Sequence, residues 1–359
     1  MARQRYKIIL SDLHLSSGAL NEDGTCNLVE EFFYDDQFTE FLEHYCSEPY
    51  AKTDVELIFN GDALNHLNTS ADEPEADFLS ERVTLERTKA IIEGHPKFFD
   101  ALAAFARKPN RSVVYLMGNH DIGVAWPKVQ QLLKERVGSN LRFILDSYEV
   151  DRLHIEHGNR FLADNRVDLD NLYLTRGREE PVLKMPWGSF FVIHFINPLK
   201  KERPYIGKVY PFKFYLRWAL IHDTFFALKT ISRLIFYFLK INFSRDPRRN
   251  FSLFDTWKIL REFSFPYNLD KEAKKLLFSN PDIRLVTFGH THHASYRLFA
   301  PGKEYINTGC WNDLIGLDLS SLGRQLRLTF AEISYDDKGL PRASLKEWKG
   351  EHRVMSEIH

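Results

Sequence analysis

Tyr6-Lys7-Ile8-Ile9-Leu10-Ser11-Asp12-Leu13-His14 is the stretch that sets the fold class. A short apolar run stops abruptly on a polar tail, as a buried strand does where it feeds a loop. The design recurs downstream. Val55-Glu56-Leu57-Ile58-Phe59 runs into Asn60-Gly61-Asp62, and Val113-Val114-Tyr115-Leu116-Met117 runs into Gly118-Asn119-His120-Asp121. Leu153 to His157 is a further strand that ends in a polar loop, and Arg284-Leu285-Val286-Thr287-Phe288 runs into Gly289-His290-Thr291-His292. Between these strands, Leu28 to His44 and Arg82 to Ala106 carry apolar residues at helical spacing. Alternating strands and helices predict a layered α/β core. From Glu304 onward the chain reads as strand-rich, at Glu304 to Ile306, Gln325 to Tyr335 and Ala343 to Trp348.

The 359 residues allow two domains, or one large domain with an insertion. An apolar content of 44% with 27% charged residues is globular composition. A net charge of −1 excludes a globally basic nucleic-acid binder and leaves room for a local basic patch. Cys26, Cys46 and Cys310 are scattered, with no CxxC pair, so no disulfide framework is expected and a reducing compartment is. Ile8 to Leu10 is too short for the apolar core of a signal peptide, so a cytoplasmic location is expected.

Strand ends are where α/β proteins place their binding loops. Here they collect Asp12 and His14, Asp62, Asn119 with His120 and Asp121, His157, and His290 and His292. Asp12-x-His14 and His290-x-His292 are expected to point two side chains each to one side of an extended backbone. Carboxylate, imidazole and amide oxygen are ligands for manganese, iron, zinc or cobalt, and the absence of Cys among them disfavours a structural zinc site. Asp12, His14, Asp62, Asn119, His157, His290 and His292 are too many for one tetrahedral ion and suit two ions that share one carboxylate.

In this order, Asp12-Leu13-His14, Gly61-Asp62, Gly118-Asn119-His120-Asp121, His157-Gly158 and Gly289-His290-Thr291-His292 resemble the calcineurin-like metallophosphoesterase family. The resemblance implies a sandwich of two β-sheets flanked by helices and a pair of divalent ions, manganese first. Asp12, His14 and His292 would hold one ion, and Asn119, His157 and His290 the other, with Asp62 bridging. His120 would face the scissile phosphate and protonate the leaving group, oriented by a hydrogen bond to Asp121. Two cations about 3.5–4 Å apart can clamp the attacking and leaving oxygens of an in-line displacement. The Asp12-Leu13-His14-Leu15 start and the terminal Gly-His-Thr-His look most like the branch that contains UDP-2,3-diacylglucosamine pyrophosphohydrolase. His120 and Asn159 depart from that branch's usual Arg and Asp.

Residues 160–280 read as a helical cap inserted into a core of 1–159 and 281–359. Of the 29 Phe, 15 lie between Phe161 and Phe265, and Trp187, Trp218 and Trp257 join them. Between Lys200 and Arg249, twelve basic residues face Glu202, Asp223 and Asp246, a local net charge of +9. Trp218 to Leu239 includes Asp223, Lys229 and Arg233, whose cost in a bilayer argues against a spanning helix. Lys229, Arg233 and Lys240 share one helix face beside Ile231, Leu234, Ile235, Phe238 and Leu239, a pattern suited to an anionic lipid surface. Arg166, Lys229, Arg233 and Asn119 are the expected substrate contacts. The expected activity is hydrolysis of a phosphodiester or pyrophosphate in a lipid-linked or amphipathic substrate, at the inner face of a membrane. The alternatives are a phosphatase or phosphodiesterase of soluble nucleotides or phosphoproteins, or a nuclease, although no specific nucleic-acid partner is expected.

Overall fold

The computed structural model describes residues 4–67, 69, 78–175, 179–210, 212–242, 269–317, 322–350 and 356–357. The apolar runs become parallel strands. β1 (Arg5–Leu10), β2 (Asp54–Asn60), β3 (Arg111–Leu116) and β4 (Leu141–Ile144) lie side by side, and the chain then makes β5 (Tyr148–Val150) and β6 (Leu153–Ile155). Later come the short β7 (Tyr173–Leu174), β8 (Val182–Leu183) and β9 (Val209–Tyr210), then β10 (Leu285–Phe288), β11 (Ser295–Ala300) and β12 (Lys303–Asn307). β13 (Leu314–Gly316), β14 (Gly323–Gln325), β15 (Leu328–Tyr335), β16 (Pro341–Trp348) and β17 (Ser356–Glu357) complete the strands described.

One sheet runs β17-β16-β15-β1-β2-β3-β4 and the other β11-β12-β10-β6-β5. Strand side chains alternate between faces. Ile9, Ile58, Val114 and Leu116 of the first sheet therefore meet Leu153, Ile155, Leu285 and Ile306 of the second, and this contact is the sandwich core. The opposite face of the first sheet packs on α1 (Asp35–Cys46), α2 (Glu81–Gly94), α3 (Pro96–Ala106) and α4 (Pro127–Val137) through Phe38, Ile91, Phe98 and Val129. The two-sheet sandwich flanked by helices is the expected fold.

Two helix expectations are corrected. Residues 28–34 are not helical; α1 starts at Asp35. Asn27 accepts the Val29 N–H, and Glu30 accepts those of Glu31 and Phe32, so side chains take the donors a helix would use. The pattern over 82–106 is two helices, broken at His95, whose backbone leaves the helical region before Pro96.

Packing runs on across residue 160. Leu172, Leu183, Met185 and Phe190 join the main core cluster. The last helix before β10, α9 (Leu269–Ser279), covers the second sheet through Leu269, Ala273 and Leu277. Between them lie α5 (Trp187–Phe191), α6 (Asn197–Glu202), α7 (Phe212–His222) and α8 (Thr224–Asn242). This part has its own aromatic core, where Trp187 stacks on Phe191 and Phe238 at 5.1 and 5.4 Å. It is tied to the rest by β9, which pairs with β13. A break at Asp223 splits the apolar stretch from Trp218 to Leu239, and no described helix is long and apolar enough to cross a membrane. Trp257, Arg245, Asp246, Arg248 and Arg249 lie outside the described residues.

Candidate metal centre

The carboxyl ends of β1, β2, β3, β6 and β10 converge. His292 Nε2 stands 3.3 Å from Asp12 Oδ1 and 3.1 Å from His14 Nε2. His157 Nε2 stands 3.2 Å from Asp62 Oδ2 and 3.9 Å from Asp12 Oδ1. Ligand atoms of Asp12, His14 and His292 lie within 4.8 Å of one another, as do those of Asp62, His157 and His290, and those of His14, Asp62 and His120. Asp62 Oδ2 faces both His157 Nε2 and, at 4.0 Å, His14 Nε2, the position of a shared carboxylate.

The expected extended backbone at Asp12-x-His14 and His290-x-His292 is corrected. Asp12, His14, His290 and His292 all have positive φ, at 55°, 54°, 69° and 59°, and Asp62 joins them at 53°. Each such residue costs about 1–3 kcal/mol and persists only where its surroundings over-determine it. Here the loops brace one another. Asp12 N–H donates to Gly61 O at 3.1 Å, and His14 N–H donates to Asp62 O at 2.9 Å. Asp12 Oδ2 accepts from His290 N–H at 2.9 Å, and Asp62 Oδ1 accepts from His120 N–H at 2.8 Å. Each carboxylate spends one oxygen on the backbone and aims the other into the cluster. Gly118 must be glycine, because a Cβ there would stand 2.1 Å from Asp62 Oδ1.

Cations fit this arrangement. Asn119 Oδ1 is buried with no hydrogen-bond partner among the described residues, and Asp12 Oδ1 faces the imidazoles of His292 and His157. His157 Nδ1 donates to Asn60 O at 2.8 Å, which fixes the tautomer and leaves Nε2 facing Asp62. Burial, helped by neighbouring imidazoles, pushes His14 down to about 4 and His290 to about 3, so both stay in the neutral, ligating form. Burial raises Asp12, but the charge of His157 and the hydrogen bond from His292 overcome it and hold the carboxyl at about 2.

His120 reaches the cluster, with its ring edge-on to His14 at 4.5 Å. Asp121 does not orient it, a second correction. Its carboxylate accepts from Gly118 N–H at 2.6 Å, Tyr115 O–H at 2.7 Å and Ala63 N–H at 3.0 Å, and so ties the β2 loop to the β3 loop. Burial and the charge of Asp62 raise Asp121 to about 7.

Arg166, Lys229 and Arg233 make no described hydrogen bond or ion pair to the cluster. Arg166 is exposed and donates to Arg160 O, while Lys229 and Arg233 both pair with Glu202. The basic face expected on α8 is therefore partly neutralised. The loop that carries Arg166 sends another residue inward, since Asn119 Nδ2 donates to Asn165 Oδ1 at 3.5 Å. Glu31 also stands near the cluster, where its charge acts on His14, His292 and His120. Reading 28–44 as one helix concealed it. Behind the ligands, Asn307 Nδ2 donates to Gly289 O at 2.7 Å, and Ser11 Oγ meets Thr308 Oγ1 at 2.6 Å. The Asn307-Thr308-Gly309 turn thus supports two ligand loops, and its place at a strand end was the available signal.

The profile of the Calcineurin-like phosphoesterase family matches residues 8–294. No curated protein matches the sequence. A dimetal phosphatase from Danio rerio aligns over 99% of both chains at 10% identity with a TM-score of 0.39. The calcineurin-like phosphoesterase YfkN from Bacillus subtilis aligns over 98% of this chain and 93% of its own, at 10% identity and a TM-score of 0.35. The assignment rests on the profile match and on the ligand geometry. With the matched region spanning every ligand loop, the chain belongs to the calcineurin-like phosphoesterase family and is a metal-dependent phosphoester hydrolase with a dinuclear divalent centre.

Proposed function

We propose that the chain hydrolyses a phosphodiester or pyrophosphate bond in a lipid-linked or otherwise amphipathic substrate, with α7 and α8 resting on the anionic inner face of a membrane. The observation that carries this reading is the exposure of Ile221, Phe225 and Phe236, at 76%, 82% and 67%, on consecutive helices. Glu202 offsets Lys229 and Arg233, so apolar contact supplies more of the attraction than charge does. Asp12, His14, Asp62, Asn119, His157, His290 and His292 would hold two divalent cations, manganese first by the family resemblance, which would supply Lewis acidity and lower the pKa of a bound water. The residues around them do the rest. Asp62 and Asn119 place oxygen ligands, and His120, with its ring edge-on to His14 at 4.5 Å, would in its protonated form give a proton to the leaving oxygen.

The test is a paired assay of the manganese-loaded protein on one diester headgroup, once carrying acyl chains in anionic vesicles and once as a water-soluble ester. Co-sedimentation is run at low and high salt. Faster turnover in vesicles, with the protein in the pellet, is expected. Equal rates on both esters with the protein in the supernatant overturn the lipid reading and leave a hydrolase of soluble esters.

A further inference from the structure

Lys200 is a cation that the insertion buries rather than displays. It lies in α6 at 5% exposure, and its Nζ reaches Glu31 Oε1 at 2.9 Å. Its stem passes close over Gly207, where a Cβ would stand 2.6 Å from Lys200 Cε, so the absence of a side chain at Gly207 leaves the stem room. Glu31 stands near enough to the metal centre for its charge to act on His14, His292 and His120. The Asn312 amide, in the orientation that satisfies its hydrogen bonds, donates to Glu31 O at 3.2 Å and to Leu13 O at 2.9 Å. Leu13 sits between Asp12 and His14, so the backbone of Glu31 is fastened to the first ligand loop. The insertion is anchored on this side a second time, where Lys208 lies over the Phe33 ring at 5.2 Å. Arg203, Lys229 and Arg233 differ in that they pair at the surface with Asp223 and Glu202 of the insertion itself.

A carboxylate beside a centre that takes anionic esters competes with the ester for any nearby cation. A lysine ammonium on a flexible stem can exchange one anion for the other with little movement. We propose that Lys200 is a substrate-binding, specificity-determining residue, parked on Glu31 until an ester arrives and then turned to a non-bridging phosphoryl oxygen. The proposal rests on the site's phosphoester hydrolysis and not on the lipid-linked substrate.

Lys200→Met, Lys200→Arg and Glu31→Gln, each in the full manganese-loaded chain, decide it. Calorimetry with inorganic phosphate is the main readout, with KM and kcat on a nitrophenyl phosphodiester beside it. Lys200→Met is expected to weaken phosphate binding roughly 10- to 100-fold and to raise KM while kcat holds. Lys200→Arg should stay within a few-fold of wild type. Glu31→Gln should tighten phosphate binding, because it frees the ammonium. A purely structural ion pair predicts the opposite pattern, since either partner's loss breaks the same bond and phosphate binding then moves the same way in both variants. That result overturns the proposal. If Lys200→Met fails to fold, Glu31→Gln decides alone, and unchanged or weaker phosphate binding counts against Lys200. A wild type that cleaves soluble esters but ignores vesicles overturns the lipid reading and leaves this test intact.

Discussion

Asp12 and Asp62 are almost fully buried, each with one oxygen on a backbone N–H and the other facing imidazoles, whereas Lys229 and Arg233 are each 42% exposed and share Glu202 across the surface. Both regions are rich in charge. In the ligand loops every charge is positioned by backbone that cannot shift without disturbing another loop. In the insertion the aromatic stacks around Trp187 fix the helices, and the charges settle on whatever carboxylate is near. Substitutions should therefore act sharply in the first region and gradually in the second.

The largest effect is expected at Asp62, whose Oδ2 lies between His157 Nε2 at 3.2 Å and His14 Nε2 at 4.0 Å, the expected ligands of different ions. Asp62→Asn should lower metal content and bring hydrolysis of a nitrophenyl phosphodiester to background. Elemental analysis with two ions retained and full activity would break the contrast at its strongest point. Next comes His120→Ala, expected to keep both ions and lose about 10²–10⁴-fold in rate, with a smaller loss when the leaving group is already acidic. An equal loss for acidic and basic leaving groups would remove the proton-transfer role.

On the insertion, changing Ile221, Phe225 and Phe236 together to Ser removes three exposed apolar side chains. Vesicle partitioning should fall about 10- to 100-fold, a modest fraction of what burying three such side chains is worth. Turnover of a soluble ester should not change. Loss of soluble activity would show that the helices serve the fold and not a surface.

The smallest effect is a pH dependence in the core. Burial lowers the His95 pKa, but hydrogen bonds to Asp35 and Glu30 outweigh this and raise it to about 9. A pKa raised on folding contributes stability that is complete below the ordinary value of about 6.5 and is lost as pH rises through about 9. His95→Gln should therefore cost more stability at pH 6 than at pH 10, measured by denaturant unfolding. Glu30 also accepts the N–H groups of Ser16 and Gly18, so the network steadies the loop after His14.

The sandwich and the convergence of Asp12, His14, Asp62, His157, His290 and His292 were legible because each signal was local, an apolar run followed at once by Asp or His. Asp121 was misread because residue type alone does not show which way a carboxylate turns; Tyr115 and the Ala63 and Gly118 amides decide it. Glu31 and Lys200 are far apart in sequence and meet only when α6 packs against the loop before α1. Composition flagged the insertion as aromatic and basic, but the pairing of Glu202 with two cations of α8 depends on a helix contact that no spacing rule encodes.

The positive φ values at Asp12, His14, Asp62, His290 and His292 limit which centres can evolve from this one. Asp, Asn and His are the non-glycine residues that best tolerate the left-handed region, and they are also oxygen and imidazole donors. The backbone has in effect already narrowed the choice of donor atoms. A Glu or Cys at these positions would face a steric penalty before its affinity for any ion mattered. Retuning this chain toward a softer metal would then require rebuilding the loops, and point substitutions selected on metal preference should cluster in the residues behind the ligands.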